Sequence, residues 1–171
     1  NALLKVLEEP NDKVYFILIN NSKKILPTLI SRCINYKINL TNLECLKIAD
    51  QLFNGQLKLL INSDFIDYYM TPGNIFYLIK FAEEKKYDIL KNDLKDFLKF
   101  IIRNNLYKNN LFIKYLIFYL VEIYLRKLTS SYSIKINDQY SYFLKRISDT
   151  QKFNLDEEIL FSEFEELVLN E

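Results

Sequence analysis

Three side chains near the front of the chain have the chemistry to meet a phosphate: Arg32, in the run Ser31-Arg32-Cys33, and the adjacent amides Asn20 and Asn21. The arginine carries a planar, permanently charged guanidinium with five donors, a good match for phosphate oxygens. The two asparagines follow Val14-Tyr15-Phe16-Ile17-Leu18-Ile19, a continuous apolar run with β-branched and aromatic members. Such a run predicts a strand buried on both faces, as in a parallel sheet. Between the asparagines and Arg32 lies Lys24-Ile25-Leu26-Pro27-Thr28-Leu29-Ile30. Its proline suits the first position of a short helix, where no backbone N–H is needed. A strand, a polar strand end and an arginine on the next short helix are the parts needed to read the γ-phosphate of a nucleotide held by a neighbouring subunit. An arginine supplied in trans to phosphoryl transfer is worth roughly 10³–10⁵ in rate.

Each of these residues also has a plainer role. An exposed arginine at a helix end is favoured by the helix dipole. Asparagine is common where a strand turns into a loop. Ser31 is expected to orient its turn through a local hydrogen bond rather than to touch a ligand. Glu8 and Glu9 are adjacent on a helix, so they point in different directions and make no acid–base pair. Cys33 and Cys45 are too few and too far apart for a zinc site, and read as small buried apolar residues.

The rest of the composition excludes more than it offers. Histidine is absent, which removes the usual general base and metal ligand, so no metal site is expected. Glycine occurs only at Gly55 and Gly73, too few for a phosphate-cradling loop. No nucleotide is therefore expected to be held by this chain through that device. With 23 basic and 22 acidic residues, no net charge draws the chain to nucleic acid. Half of the 171 residues are apolar, enough for a substantial core. The most membrane-like stretch, Leu111 to Leu125, is interrupted by Lys114 and Glu122 and reads as a buried helix. The chain opens at Asn1 without methionine, within what reads as a helix, and is taken as the C-terminal piece of a longer protein.

The elements follow from periodicity and breakers. A helix is expected over residues 2–9, closed by Pro10. The alternating run Ile34-Asn35-Tyr36-Lys37-Ile38 suggests a second short strand. Thr41 and Glu44 form a capping box, predicting a helix to about Phe53 closed by Gly55. Short helical pieces are expected near residues 57–60 and 64–69, then a helix over 75–84 after the turn Thr71-Pro72-Gly73-Asn74. From residue 88 onward the pattern is wholly helical. Helices are predicted over 90–104, with Leu94, Phe97, Leu98 and Ile101 inward, over 111–128 and around 140–147. A last helix follows Asn154, with Leu160, Phe161, Phe164, Leu167 and Val168 inward. The Tyr and Phe residues of 97–124 have the helical spacing of a core rather than the setting of a base-stacking platform.

Taken together, Asn1-Ala2-Leu3-Leu4-Lys5-Val6-Leu7-Glu8-Glu9-Pro10, Tyr15-Phe16-Ile17-Leu18 and Leu26-Pro27-Thr28-Leu29-Ile30-Ser31-Arg32-Cys33 resemble the bacterial clamp-loader subunits of DNA polymerase III, which are AAA+ proteins. Within that group the resemblance is greatest to the δ′ subunit, with γ/τ second. It implies a mainly α chain: residues 1–39 as the C-terminal remnant of an AAA+ α/β domain with one or two short strands, 40–86 as a small helical lid, and 88–171 as an all-helical collar for oligomerisation.

The resemblance further implies Arg32 as an arginine finger reaching ATP-Mg on a neighbouring subunit, and Asn20 or Asn21 at the sensor 1 position. The partners would be the γ/τ and δ subunits in a hetero-pentamer, and the sliding clamp and primer-template DNA through the assembled complex. The setting would be cytoplasmic, with no membrane. No activity is expected of this chain alone, only a part in a DNA-directed DNA polymerase holoenzyme. Asn74, directly after Pro72-Gly73, stands where ATP-binding members carry a cation, which points to the non-catalytic δ′ kind. A truncated ATP-hydrolysing γ/τ subunit is one alternative. A helical oligomerisation module without a nucleotide role is another. The sheet remnant at 1–39 is expected to expose apolar surface and to be the least stable part.

Overall fold

The structure is a computed structural model describing residues 13–19, 26–129 and 134–170, with side chains for all of these except 134–137. The helix expected over 2–9, the pair Glu8 and Glu9, and both Asn20 and Asn21 lie outside the described residues. The chain divides into two compact units, Asn1–Asn39 and Leu40–Glu171. Its described residues are mainly helical and contain no strand.

In the first unit, Pro27 opens a four-residue helix, α1 (Pro27–Ile30). The two strands expected here do not form: residues 14–19 and 34–38 are neither helix nor paired strand. A strand exists only as part of a ladder, and no backbone hydrogen bond joins either run to another described segment. Both runs are exposed. Tyr15, Ile17 and Ile19 are each more than four-fifths open, at 92%, 87% and 86%, while Val14, Phe16 and Leu18 are about half so. The apolar surface anticipated for this region is thus on the outside.

The second unit begins with the capping box. The amide of Glu44 donates to Thr41 Oγ1 (3.3 Å), and the amide of Thr41 donates to Glu44 Oε2 (2.7 Å). These bonds start α2 (Asn42–Leu52). The Thr41 amide, and then the Thr41 hydroxyl donating to Glu44 Oε2 (2.8 Å), hold the Glu44 carboxyl below its ordinary value. The helix ends through Asn54 and Gly55, both at positive φ, with the Gly55 amide donating to Asp50 O (2.8 Å). Two 3₁₀ turns, Leu57–Leu59 and Ser63–Phe65, carry Leu57 and Phe65 inward. Thr71 caps α3 (Pro72–Glu84), which starts at Pro72.

The helix expected from residue 90 starts later, as α4 (Leu94–Arg103), because Asp93 caps it by accepting from the Asp96 amide (2.9 Å). The residues before it are held in a turn, where Asp88 Oδ1 accepts from the amides of Leu90 and Lys91. A short α5 (Leu106–Asn109), not expected from the pattern, leads into α6 (Leu111–Thr129). Then come α7 (Ile134–Phe153), longer than expected at both ends, and α8 (Glu157–Phe164). A π turn over Glu165–Leu169 closes the unit.

One core runs through this unit from Ala49 to Leu169. Leu94, Phe97, Leu98 and Ile101 are fully buried, as their spacing predicts. Phe97 is the hub of one aromatic cluster, meeting Phe65 (5.4 Å), Tyr87 (5.3 Å) and Phe81 (6.4 Å between centroids). Phe161 and Phe164 of α8 anchor another, against Tyr107 (4.8 Å) and Phe143 (5.3 Å). The last inward stripe differs from expectation in one place: Leu167 is exposed and Leu169 is buried. The π turn explains this, since its wider spiral, seen in the Asn170 amide bonding Glu165 O, brings residues five apart onto one face. Arg103 from α4 clips both ends of that turn, donating from Nε to Glu165 Oε1 and from Nη2 to Asn170 Oδ1.

Among the described residues no helix is long and apolar enough to cross a membrane. The apolar length of α6 is spent on packing, with nine of its side chains, Ile113 to Leu125, buried.

Candidate functional site

The carbonyls of α1 explain the turn that carries Arg32. A helix leaves its last four C=O groups without helical partners, and in a four-residue helix that means all of them. Each one is met. Pro27 O accepts from the Ser31 amide (3.0 Å), and Leu29 O accepts from the Arg32 amide (3.2 Å). Thr28 O accepts twice, from Ser31 Oγ (3.2 Å) and from Arg32 Nη1 (2.8 Å). Ile30 O accepts from the Asn35 side-chain amide (3.0 Å), which also donates to Cys33 O (3.1 Å).

Ser31 therefore does what its type suggested, orienting its own turn by a local bond. Arg32 is exposed and lies back along the helix that precedes it, one of its five donors on Thr28 O. Of the two cysteines read as buried, Cys45 is, while Cys33, next to Arg32, is only half-buried. Two residues that hold this turn, Thr28 and Asn35, were not singled out in the sequence. Thr28 acts through its carbonyl, which no side-chain pattern reveals. Asn35 belongs to the alternating run 34–38, which reads as a strand and hides its contacts with the turn.

The other candidate position, Asn74, lies in the second unit. Its amide donates to Thr71 Oγ1 (3.3 Å), so it occupies the first turn of α3, and its half-buried side chain brings no charge there. An open hollow of about 330 Å³ in the same unit is walled by Leu59, Leu60 and Ile79, with Glu83, Lys86 and Asp88 at its edge. Charges of both signs around an apolar floor make no phosphate site. Among the described residues no group of three or more His, Cys, Asp or Glu could hold a metal.

Residues 1–42 match the family model described as "DNA polymerase III, delta subunit". The match takes in the whole Ser31-Arg32-Cys33 turn and the start of the second unit, well under half of the chain. The comparison with curated proteins found no match, and neither did that with solved structures.

Proposed function

We propose that the chain is a clamp-loader subunit of the DNA polymerase III machinery, of the non-catalytic δ′ kind, acting in DNA replication as a stator that lends Arg32 to ATP-Mg held by a neighbouring subunit. The observation that carries this reading is the coincidence of two facts. The family match covers residues 1–42, and within it the Ser31-Arg32-Cys33 turn presents an exposed guanidinium from the end of a short helix.

In phosphoryl transfer there is little covalent work for a protein to do, so rate comes from placing positive charge where the γ-phosphoryl oxygens develop theirs. A rigid turn ending in arginine supplies such a charge without a nucleotide site of its own. Asn74, neutral where ATP-holding members carry a cation, favours δ′ over a truncated γ/τ subunit. Residues 40–86 then serve as the lid. Residues 88–171 form the collar that joins the γ/τ and δ subunits in the ring. The sliding clamp and primer-template DNA are met through the assembled loader, in the cytoplasm. The independent core of Leu40–Glu171 also favours a second reading, a helical oligomerisation module with no nucleotide role.

Arg32→Ala separates the two. In a loader reconstituted with this chain, the variant should assemble normally while hydrolysis at the site it serves falls on the order of 10³-fold or more. Unchanged hydrolysis and clamp loading would remove the finger role and leave the module.

A further inference from the structure

We infer that Asn35 is a positioning residue for Arg32, an inference that rests on the reading of Arg32 as the donated charge. The turn bearing Arg32 has a covalent start, the end of α1, and needs a second fixed point if the guanidinium is to be presented in one place. Asn35 supplies it. Its side-chain nitrogen donates to Ile30 O at 3.0 Å and to Cys33 O at 3.1 Å, so a single amide ties the residue before Ser31 to the residue after Arg32. Only a group with two N–H donors on one atom can bridge two carbonyls in this way. Aspartate has the same shape but would set its oxygens against both carbonyls, and alanine would leave them to water.

The backbone bonds described at the start of the turn do not reach Cys33. The Ser31 and Arg32 amides and the Ser31 hydroxyl all bond back to residues 27–29. They fix the beginning of the turn and say nothing of where Cys33 goes. Arg32 Nη1 on Thr28 O is itself the bond that would loosen when the guanidinium turns to a phosphate. Asn35 is then what keeps the backbone at Arg32 in place as the side chain moves. Asn35 is exposed, so its loss should spare folding.

The test is steady-state ATP hydrolysis by the clamp loader reconstituted with Asn35→Ala, Asn35→Asp, Arg32→Ala and the Arg32→Ala/Asn35→Ala double variant. Misplacing a catalytic group by 1 Å can cost on the order of 10²-fold. The two Asn35 variants should therefore lower kcat about tenfold or more, with KM for ATP unchanged, and the double variant should be no slower than Arg32→Ala alone. If Arg32→Ala is slow while both Asn35 variants match the unaltered protein, the positioning role is wrong and the finger stands. If Arg32→Ala is itself without effect, the finger reading falls and takes this one with it. A double variant slower than Arg32→Ala, or Asn35→Asp failing to assemble, would make Asn35 a structural residue and overturn the inference.

Discussion

Every side chain of residues 14–19 is large and apolar, against six of the nine in residues 94–102, yet the first run is exposed while the second buries Leu94, Phe97, Leu98, Ile101 and Ile102. The difference is where each finds its partners. An α-helix closes its backbone hydrogen bonds within itself, so α4 needs only a neighbouring surface for its apolar face, and α6 and the aromatic cluster of Phe65, Phe81 and Tyr87 provide one. A strand closes its hydrogen bonds on another strand, and none of the described residues offers that edge to Val14–Ile19. Apolar content is thus a condition for burial in both units, but only in the helical one is it sufficient.

The sharpest way to break this contrast is a matched pair of truncations. Phe97→Ala should cost about 3–5 kcal/mol, because it empties the centre of a fully packed aromatic cluster. Phe16→Ala should cost within about 0.5 kcal/mol, as at an ordinary surface position. Chemical denaturation of the two variants reads both values, and equal losses would mean that the first unit has a core of its own.

A smaller effect is expected at the capping box. Thr41→Ala should cost about 1 kcal/mol through the lost α2 cap. It should also reduce an acid-dependent contribution, because the hydroxyl bond to Glu44 is lost while the backbone bond stays. The Glu44 carboxyl titrates lower in the folded chain than in the unfolded one, so its contribution is present above the unfolded value and disappears as pH falls through the folded one. Denaturation midpoints at neutral and acid pH, with and without Thr41, check the sign.

The helical unit can also be improved. Lys86 ends α3 at φ 54, with the Tyr87 amide bonding back to Ala82 O at 2.9 Å, an arrangement that glycine usually serves. Lys86→Gly should raise stability by about 0.5–1 kcal/mol, the relief of left-handed strain less the added freedom of the unfolded chain. The same substitution at Lys37, in the first unit, should bring no gain.

The gentlest test uses the tyrosines. Burial pushes the phenols of Tyr87 and Tyr124 up to about 12, with the nearby carboxylates of Asp96 and Asp93 adding to the shift. A raised folded value means that their contribution is whole below the ordinary phenol range near 10 and is lost as pH climbs through about 12. Ultraviolet titration should show a late ionisation step contributed by these two phenols. A single ionisation step near the ordinary value would mean that the aromatic core is open to water.

Much of the second unit was legible because its signals are local. Thr41 and Glu44 name their helix start, Pro72 names another, and Leu94, Phe97, Leu98 and Ile101 name the face that goes inward. Besides the unexpected α5 and the longer α7, the errors there are at edges: α4 begins after Asp93 rather than at Leu90, and Leu167 yields to Leu169. Asp93 marks the first by its capping side chain, whereas the second depends on a π turn's geometry that side-chain type does not encode. In the first unit the helix start at Pro27 and the local bond of Ser31 could be read, as could the exposure of its apolar runs. The strands expected there do not form, since pairing is a property of two segments and not of one apolar run. The bridge made by Asn35 was hidden for a similar reason, because an alternating run invites a strand reading and conceals an amide aimed at two carbonyls.

By itself the sequence determined the mainly helical class, the caps, the inward faces and the exposed arginine turn, since each arises from residues within a helical turn or two of one another. The tertiary structure alone decided that the helices from residue 40 onward share one core, that Arg103 clips a π turn more than sixty residues away, and that Val14–Ile19 pairs with no other described segment. Those outcomes rest on which distant surfaces meet, and neither spacing nor composition in a single segment contains that information.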